Sequence, residues 1–148
     1  MPGLFDGHAL KHAWVYKYDS AESAQGIAPH ADDAAVNVNI WLQDGWQIPE
    51  TDRGGGGGLK LWLKEVPLSF DFEEYNRKPA ELLSWLASDE ATDGGSCPVE
   101  EMTVSHRVNR AVIFDSSLVH QSDVAGIRPD CKYEDRRMNL TLLFGERR

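Results

Sequence analysis

In the stretch GIAPHADDAAVNVNIWL, His30 and Asp32 stand one residue apart, and another histidine, His120, lies far along the chain in VIFDSSLVHQSD. Neutral imidazole and carboxylate are ligands for borderline divalent metals. Two His and one carboxylate on one side of an ion, with the opposite positions open, suit a non-haem Fe(II) site that activates oxygen. Spacing alone is weak support, because a chain with 5 His and 24 acids supplies a His-x-acid pair by chance. Asp33 is the rival carboxylate. Consecutive residues of an extended chain face opposite ways, so only one of Asp32 and Asp33 shares a side with His30. His8, His12 and His106 have no acid two residues on and read as ordinary surface or core histidines.

The run after HADD must position these groups. AVNVNIWL alternates with period two, a strand pattern that puts Asn37, Asn39 and Trp41 on one face and Val36, Val38, Ile40 and Leu42 on the other. RRMNLTLLFG repeats the pattern, with Arg137, Asn139 and Thr141 opposite Met138, Leu140 and Leu142. Further strands are expected at AWVYKYD, LKLWL, EEMTVSH and NRAVIFDSS. A single helix is expected near 79–88, with Pro79 in its first turn and Leu82, Leu83, Trp85 and Leu86 on one stripe. Short strands with one helical insert indicate a mainly β jelly roll or sandwich. The segment 65–96 that carries the helix interrupts the strands and is expected to act as a flap. The five glycines at 54–58 are not followed by Lys-Ser or Lys-Thr, and a strand rather than a helix comes next, so they do not make a phosphate loop.

The composition sets limits. At 148 residues the chain fits one domain with a core of its own. With 24 acids against 15 bases the net charge is −9, which repels a phosphate backbone and argues against nucleic acid as a partner. No apolar run approaches the ~20 residues that span a bilayer, and no secretory signal opens the chain, so no membrane partner and a cytoplasmic location are expected. Cys97 and Cys131 have no CxxC spacing and read as free thiols.

Over residues 14–145 the sequence resembles the Fe(II)- and 2-oxoglutarate-dependent oxygenases, in particular the prolyl-hydroxylase-like branch and its uncharacterised bacterial relatives. Four pieces carry the resemblance in order: HADD with VNVNIWL, GGLKLW, NRAVIFDSSLVHQSD and RRMNLTLLFG. The resemblance implies a double-stranded β-helix, that is a cupin-like jelly roll, as one domain over 1–148, lacking the family's usual N-terminal helices. It implies His30, Asp32 and His120 as iron ligands and catalytic centre, with 2-oxoglutarate as cosubstrate and hydroxylation, with release of succinate and CO2, as the reaction. Arg137 matches the residue that anchors the distal carboxylate of 2-oxoglutarate, a task suited to a planar guanidinium fork. The long loop before it leaves Arg128 and Arg136 as alternatives. Asn37, Asn39, Trp41, Asn139 and Thr141 then face cosubstrate and substrate, while Tyr16 and Tyr18 either reach the cosubstrate or pack in the core.

The substrate is expected to be a small molecule or a peptidyl group, selected by residues 43–58 and 65–96. If the Asn row looks inward, the Val36 and Leu140 rows form a broad outer apolar surface. That face is expected to be covered by a second copy of the chain, a partner or a further N-terminal region. The rival reading is a cupin-like domain that binds a metal or ligand without turnover.

Overall fold

The computed structural model describes residues 5–18, 26–43, 58–88, 99–123 and 132–147. Among the described residues seven strands and two helices make up the regular structure: β1 (Leu10–Lys17), β2 (Val36–Trp41), β3 (Leu59–Glu65), α1 (Phe72–Tyr75), α2 (Pro79–Leu86), β4 (Glu101–Val104), β5 (Ala111–Asp115), β6 (Leu118–Ser122) and β7 (Met138–Phe144). A 3-10 turn, Tyr133–Asp135, precedes β7. The chain is mainly β. The strands form two sheets of order β1-β7-β2-β5 and β4-β3-β6, with every pair antiparallel.

Period-two alternation decides which side chains meet between the sheets. The first sheet pairs Asn39 with Thr141 and Val112, Trp41 with Asn139, and Trp14 with Thr141, so these share its inner face. From the second sheet, Leu59 and Leu61 pack on Trp41, and Val112, Phe114 and Leu118 close around them. Trp62 and Lys64 of β3 point the other way, onto the helices. Ala31, Trp62, Val66, Phe70, Leu82, Leu86 and Val119 form a second core there.

The helical segment differs from expectation in two ways. Its described residues form two helices. Asp71 caps α1, its Oδ1 accepting the Glu74 N–H at 2.9 Å. On α2 only Leu82 and Leu86, four residues apart, are buried, whereas Leu83 is exposed and Trp85 half-buried. Lys64 holds the far end of α2, its Nζ donating to the Trp85 carbonyl at 2.9 Å and lying 3.4 Å from the centre of the Trp85 ring. The described part of 65–96 is therefore built into a core rather than laid over the site as a flap; 89–96 lie outside the described residues.

NRAVIFDSS ends in a turn after β5, and His120 lies on a separate strand, β6, that follows it. Asp115 Oδ1 accepts the Ser117 N–H at 2.8 Å, an Asx turn at Ser116 and Ser117 that takes the chain from β5 in the first sheet to β6 in the second. His120 consequently sits in the middle of β6.

Candidate metal centre

The backbone brings the histidines together. His30 and His120 face each other in an antiparallel bridge, His30 N–H donating to the His120 carbonyl at 3.0 Å and His120 N–H to the His30 carbonyl at 2.8 Å. Directly opposed residues project to the same side of a ladder. The two rings accordingly lie 4.2 Å apart, centre to centre. Asp32 N–H donates to the Ser116 carbonyl at 3.0 Å, which ties the third group to the turn before β6.

His30, Asp32 and His120 each offer one ligand atom, and these atoms lie within 4.8 Å of one another. Asp32 Oδ2 is 3.4 Å from His120 Nε2, and Oδ1 is 3.9 Å from His30 Nε2. The second layer sets the tautomers. His30 Nδ1 lies 2.7 Å from the Ala28 carbonyl oxygen and His120 Nδ1 lies 2.9 Å from that of Leu118. A carbonyl only accepts, so each Nδ1 carries a proton and each Nε2 is the ring nitrogen that faces Asp32.

Burial pushes the His30 imidazole down to about 4, His120 adding to the effect and Asp32 opposing it. Its side chain is 19% exposed, so the site opens to solvent on that side. Burial raises the Asp32 carboxyl, but the hydrogen bond and charge of His120, the charge of His30 and the Asn37 amide outweigh it and leave the group below its ordinary value. Neutral imidazole and ionised carboxylate are the forms that bind a metal. The three donors are thus placed as a group that could hold a metal ion.

Asn37 and Asn39 are buried, and they are spent on a chain of hydrogen bonds. Asn37 Nδ2 donates to Asp32 Oδ2 at 2.7 Å, and Asn39 Nδ2 donates to Asn37 Oδ1 at 3.0 Å. Asn39 Oδ1 in turn accepts from Thr141 Oγ1 at 2.8 Å and Asn139 Nδ2 at 3.3 Å. The row does face inward, but its first task is to orient a carboxylate and to satisfy its own buried amides. Asn139 Oδ1 is left without a partner among the described residues.

Arg137 is buried on β7's approach, with 2% exposure. Its NH2 group donates to the Gly58 carbonyl at 3.0 Å and NH1 to the Asp123 carbonyl at 3.3 Å, while the guanidinium lies 4.8 Å from the centre of the Tyr18 ring. Burial pushes it below the ordinary arginine value, with Tyr18 and Asp123 opposing. Nε has no hydrogen-bond partner among the described residues. Tyr18 hydroxyl and Ser122 Oγ lie 2.6 Å apart beneath it. Gly58 must be glycine here, because a Cβ would overlap the Val104 carbonyl oxygen. Arg136 is half-buried and sits over the Tyr133 ring at 5.4 Å, away from this cavity; Arg128 lies outside the described residues, as do Cys97 and Cys131. Tyr16, on the edge strand β1, is exposed.

Arg137, Asn39, Trp41 and the three candidate ligands line one narrow cavity of about 30 Å³, room for about two waters. A five-carbon dicarboxylate would enter only with displacement of lining side chains. Among the described residues no other group of three metal-binding side chains is found, and no helix is long and apolar enough to cross a membrane. Comparison of the sequence with protein-family models and with curated proteins finds no match.

Proposed function

We propose that this chain is a non-haem Fe(II)- and 2-oxoglutarate-dependent oxygenase that hydroxylates a small-molecule or peptidyl substrate. The observation that carries the reading is that His30, Asp32 and His120 converge on the same cavity as the buried cation Arg137. Either feature alone is common; a cation buried beside a candidate divalent site is chemistry for an anionic metal ligand. The order of the two sheets supports a double-stranded β-helix, since the His30 bridge to His120 extends β4-β3-β6 by a further strand position and gives each sheet four.

In this reading His30, Asp32 and His120 would hold the iron. Arg137 holds the distal carboxylate of 2-oxoglutarate, with Nε–H as the donor not yet committed to the backbone. Asn37 keeps Asp32 in its ligating rotamer. Trp41 and Trp14 wall the cavity against water. Iron, when bound with 2-oxoglutarate and oxygen, supplies the oxidising chemistry, so that substrate, 2-oxoglutarate and O2 become hydroxylated substrate, succinate and CO2.

The narrowness of the cavity favours one second reading, a metal-binding domain of the same fold without turnover. Succinate formation separates the two. The purified chain with Fe(II), ascorbate and 2-oxoglutarate is expected to release succinate, above the level of a His30→Ala/His120→Ala control, even without the primary substrate. Metal binding with no succinate above that control, across a panel of amino acids and peptides, would favour the non-catalytic reading.

A further inference from the structure

The segment His30, Ala31, Asp32 has an almost complete account of its backbone polar groups. His30 spends both on His120, Asp32 gives its N–H to Ser116, and the Asp32 carbonyl accepts the Ala34 N–H at 2.9 Å. Between them Ala31, fully buried, has no strand partner. Its N–H donates instead to Asn76 Oδ1 at 3.1 Å, and its carbonyl accepts from Asn76 Nδ2 at 2.8 Å. One side-chain amide thus makes both bonds that a neighbouring strand would have made. Because a backbone N–H can only donate and a carbonyl only accept, this pairing also fixes which end of the amide is oxygen.

Asn76 is itself held rigidly. It closes α1, its N–H donating to the Phe72 carbonyl at 3.2 Å, and Tyr75 beside it stacks on Phe70 at 4.6 Å between ring centres. Phe70, Leu82 and Leu86 belong to the same core as Ala31. The helical segment therefore grips, through one side chain, the single residue that separates two candidate metal ligands. Orphaned buried amide and carbonyl groups are strongly disfavoured, so loss of that grip would force the His30 to Asp32 turn to move until it found other partners or water.

The geometry points to Asn76 as a positioning residue of the metal centre: its amide sets the spacing of His30 and Asp32 by serving as the strand partner of Ala31. This rests on the metal-site reading above. It also assigns the end of α1 a role as a fixed brace for the centre, so that replacing Asn76 changes metal affinity without touching the metal.

The test is a titration of the full chain with Co(II), read by its ligand-field absorption, which reports both affinity and coordination geometry. Asn76→Ala and Asn76→Asp are compared with Leu86→Ala, which loosens the same core but leaves the Ala31 bonds in place. Loss of supporting groups around ligands weakens metal binding by about 10–100-fold. Asn76→Ala is expected to lose affinity in that range and to change the Co(II) spectrum. Asn76→Asp, which keeps the acceptor and loses the donor, is expected to fall between it and the unaltered chain. Leu86→Ala is expected to lower the unfolding temperature while keeping affinity within about twofold, a margin small beside that loss. Unaltered affinity and spectrum in a folded Asn76→Ala or Asn76→Asp chain would overturn the proposal, and so would an equal loss in Leu86→Ala. If the unaltered chain binds no Co(II), or if His30→Ala/His120→Ala binds it equally well, the metal reading fails and the brace fails with it.

Discussion

Two residues adjacent in sequence, Arg136 and Arg137, test whether strand parity assigns chemistry correctly. Arg137 is buried with its guanidinium over Tyr18 and Nε uncommitted, while Arg136 lies half-buried over Tyr133. Arg137→Ala is expected to leave metal affinity nearly unchanged and to weaken 2-oxoglutarate by about 2–5 kcal/mol, the cost of removing one partner of a buried charge pair. Arg136→Ala is expected to leave calorimetric 2-oxoglutarate binding as it was. The reverse pattern would move the anchor. His30 makes a second residue-scale expectation. Its imidazole is pushed down to about 4 by burial, so between the ordinary histidine value and about 4 the unfolded chain binds a proton that the folded chain does not. Stability of the metal-free protein therefore rises with pH across that window and is lost as pH falls through it, by on the order of 3 kcal/mol. Asp32, held below its ordinary value once the pull of its neighbours outweighs burial, loses its contribution at still lower pH. Urea midpoints of the metal-free chain at pH 7 and pH 4.5 should differ accordingly, and His30→Ala should flatten the dependence.

The strands were the most legible elements, because period two survives in the sequence wherever one face is buried. AVNVNIWL and RRMNLTLLFG have the faces their alternation implies, down to the inward Asn39 and Thr141 that bond each other. Legibility fails where a side chain or a turn does work that a period cannot encode. Asn76 precedes Pro79 and resembles a helix-start signal, yet α2 has Lys78 at its N-cap with no side-chain bond, and the Asn76 amide is spent on Ala31. The Asx turn that ends β5 and separates it from β6 depends on one Asp carboxylate and on the change of sheet. On α2 the four-residue stripe narrows to Leu82 and Leu86, with Trp85 partly buried against the same core and Leu83 exposed. Leu82→Ala is expected to cost about 2–5 kcal/mol through cavity formation. Leu83→Ala, at 41% exposure, should stay within about 0.5 kcal/mol. Equal costs from denaturant unfolding would contradict this packing.

At the scale of the whole molecule, the outer face of the first sheet is apolar as expected, with Val36 and Val38 beside Leu142 and Phe144. It is less open than the sequence implies. Val36 and Val38 are buried, Phe5 packs on Phe144 at 4.8 Å between ring centres, and the exposed apolar groups of that face are peripheral, among them Val15, Leu42 and Ile113. A lysine at position 38 must bury its charge, so Val38→Lys is expected to destabilise the monomer on the order of 3 kcal/mol. Val15→Lys, at 54% exposure, should leave stability unchanged and act on self-association alone, if a second copy covers the face. Light scattering with thermal unfolding reads both; equal destabilisation by the two would contradict the difference in burial between Val38 and Val15. All of this architecture serves one junction, where a bridge between two strands sets His30 beside His120 and a turn delivers Asp32 between them. The direct measurement is an oxygen-free titration of the chain with Fe(II). One equivalent should bind per chain, and the His30→Ala/His120→Ala variant, checked to be folded, should bind none; full affinity in that folded variant would contradict the metal centre and the oxygenase reading built on it.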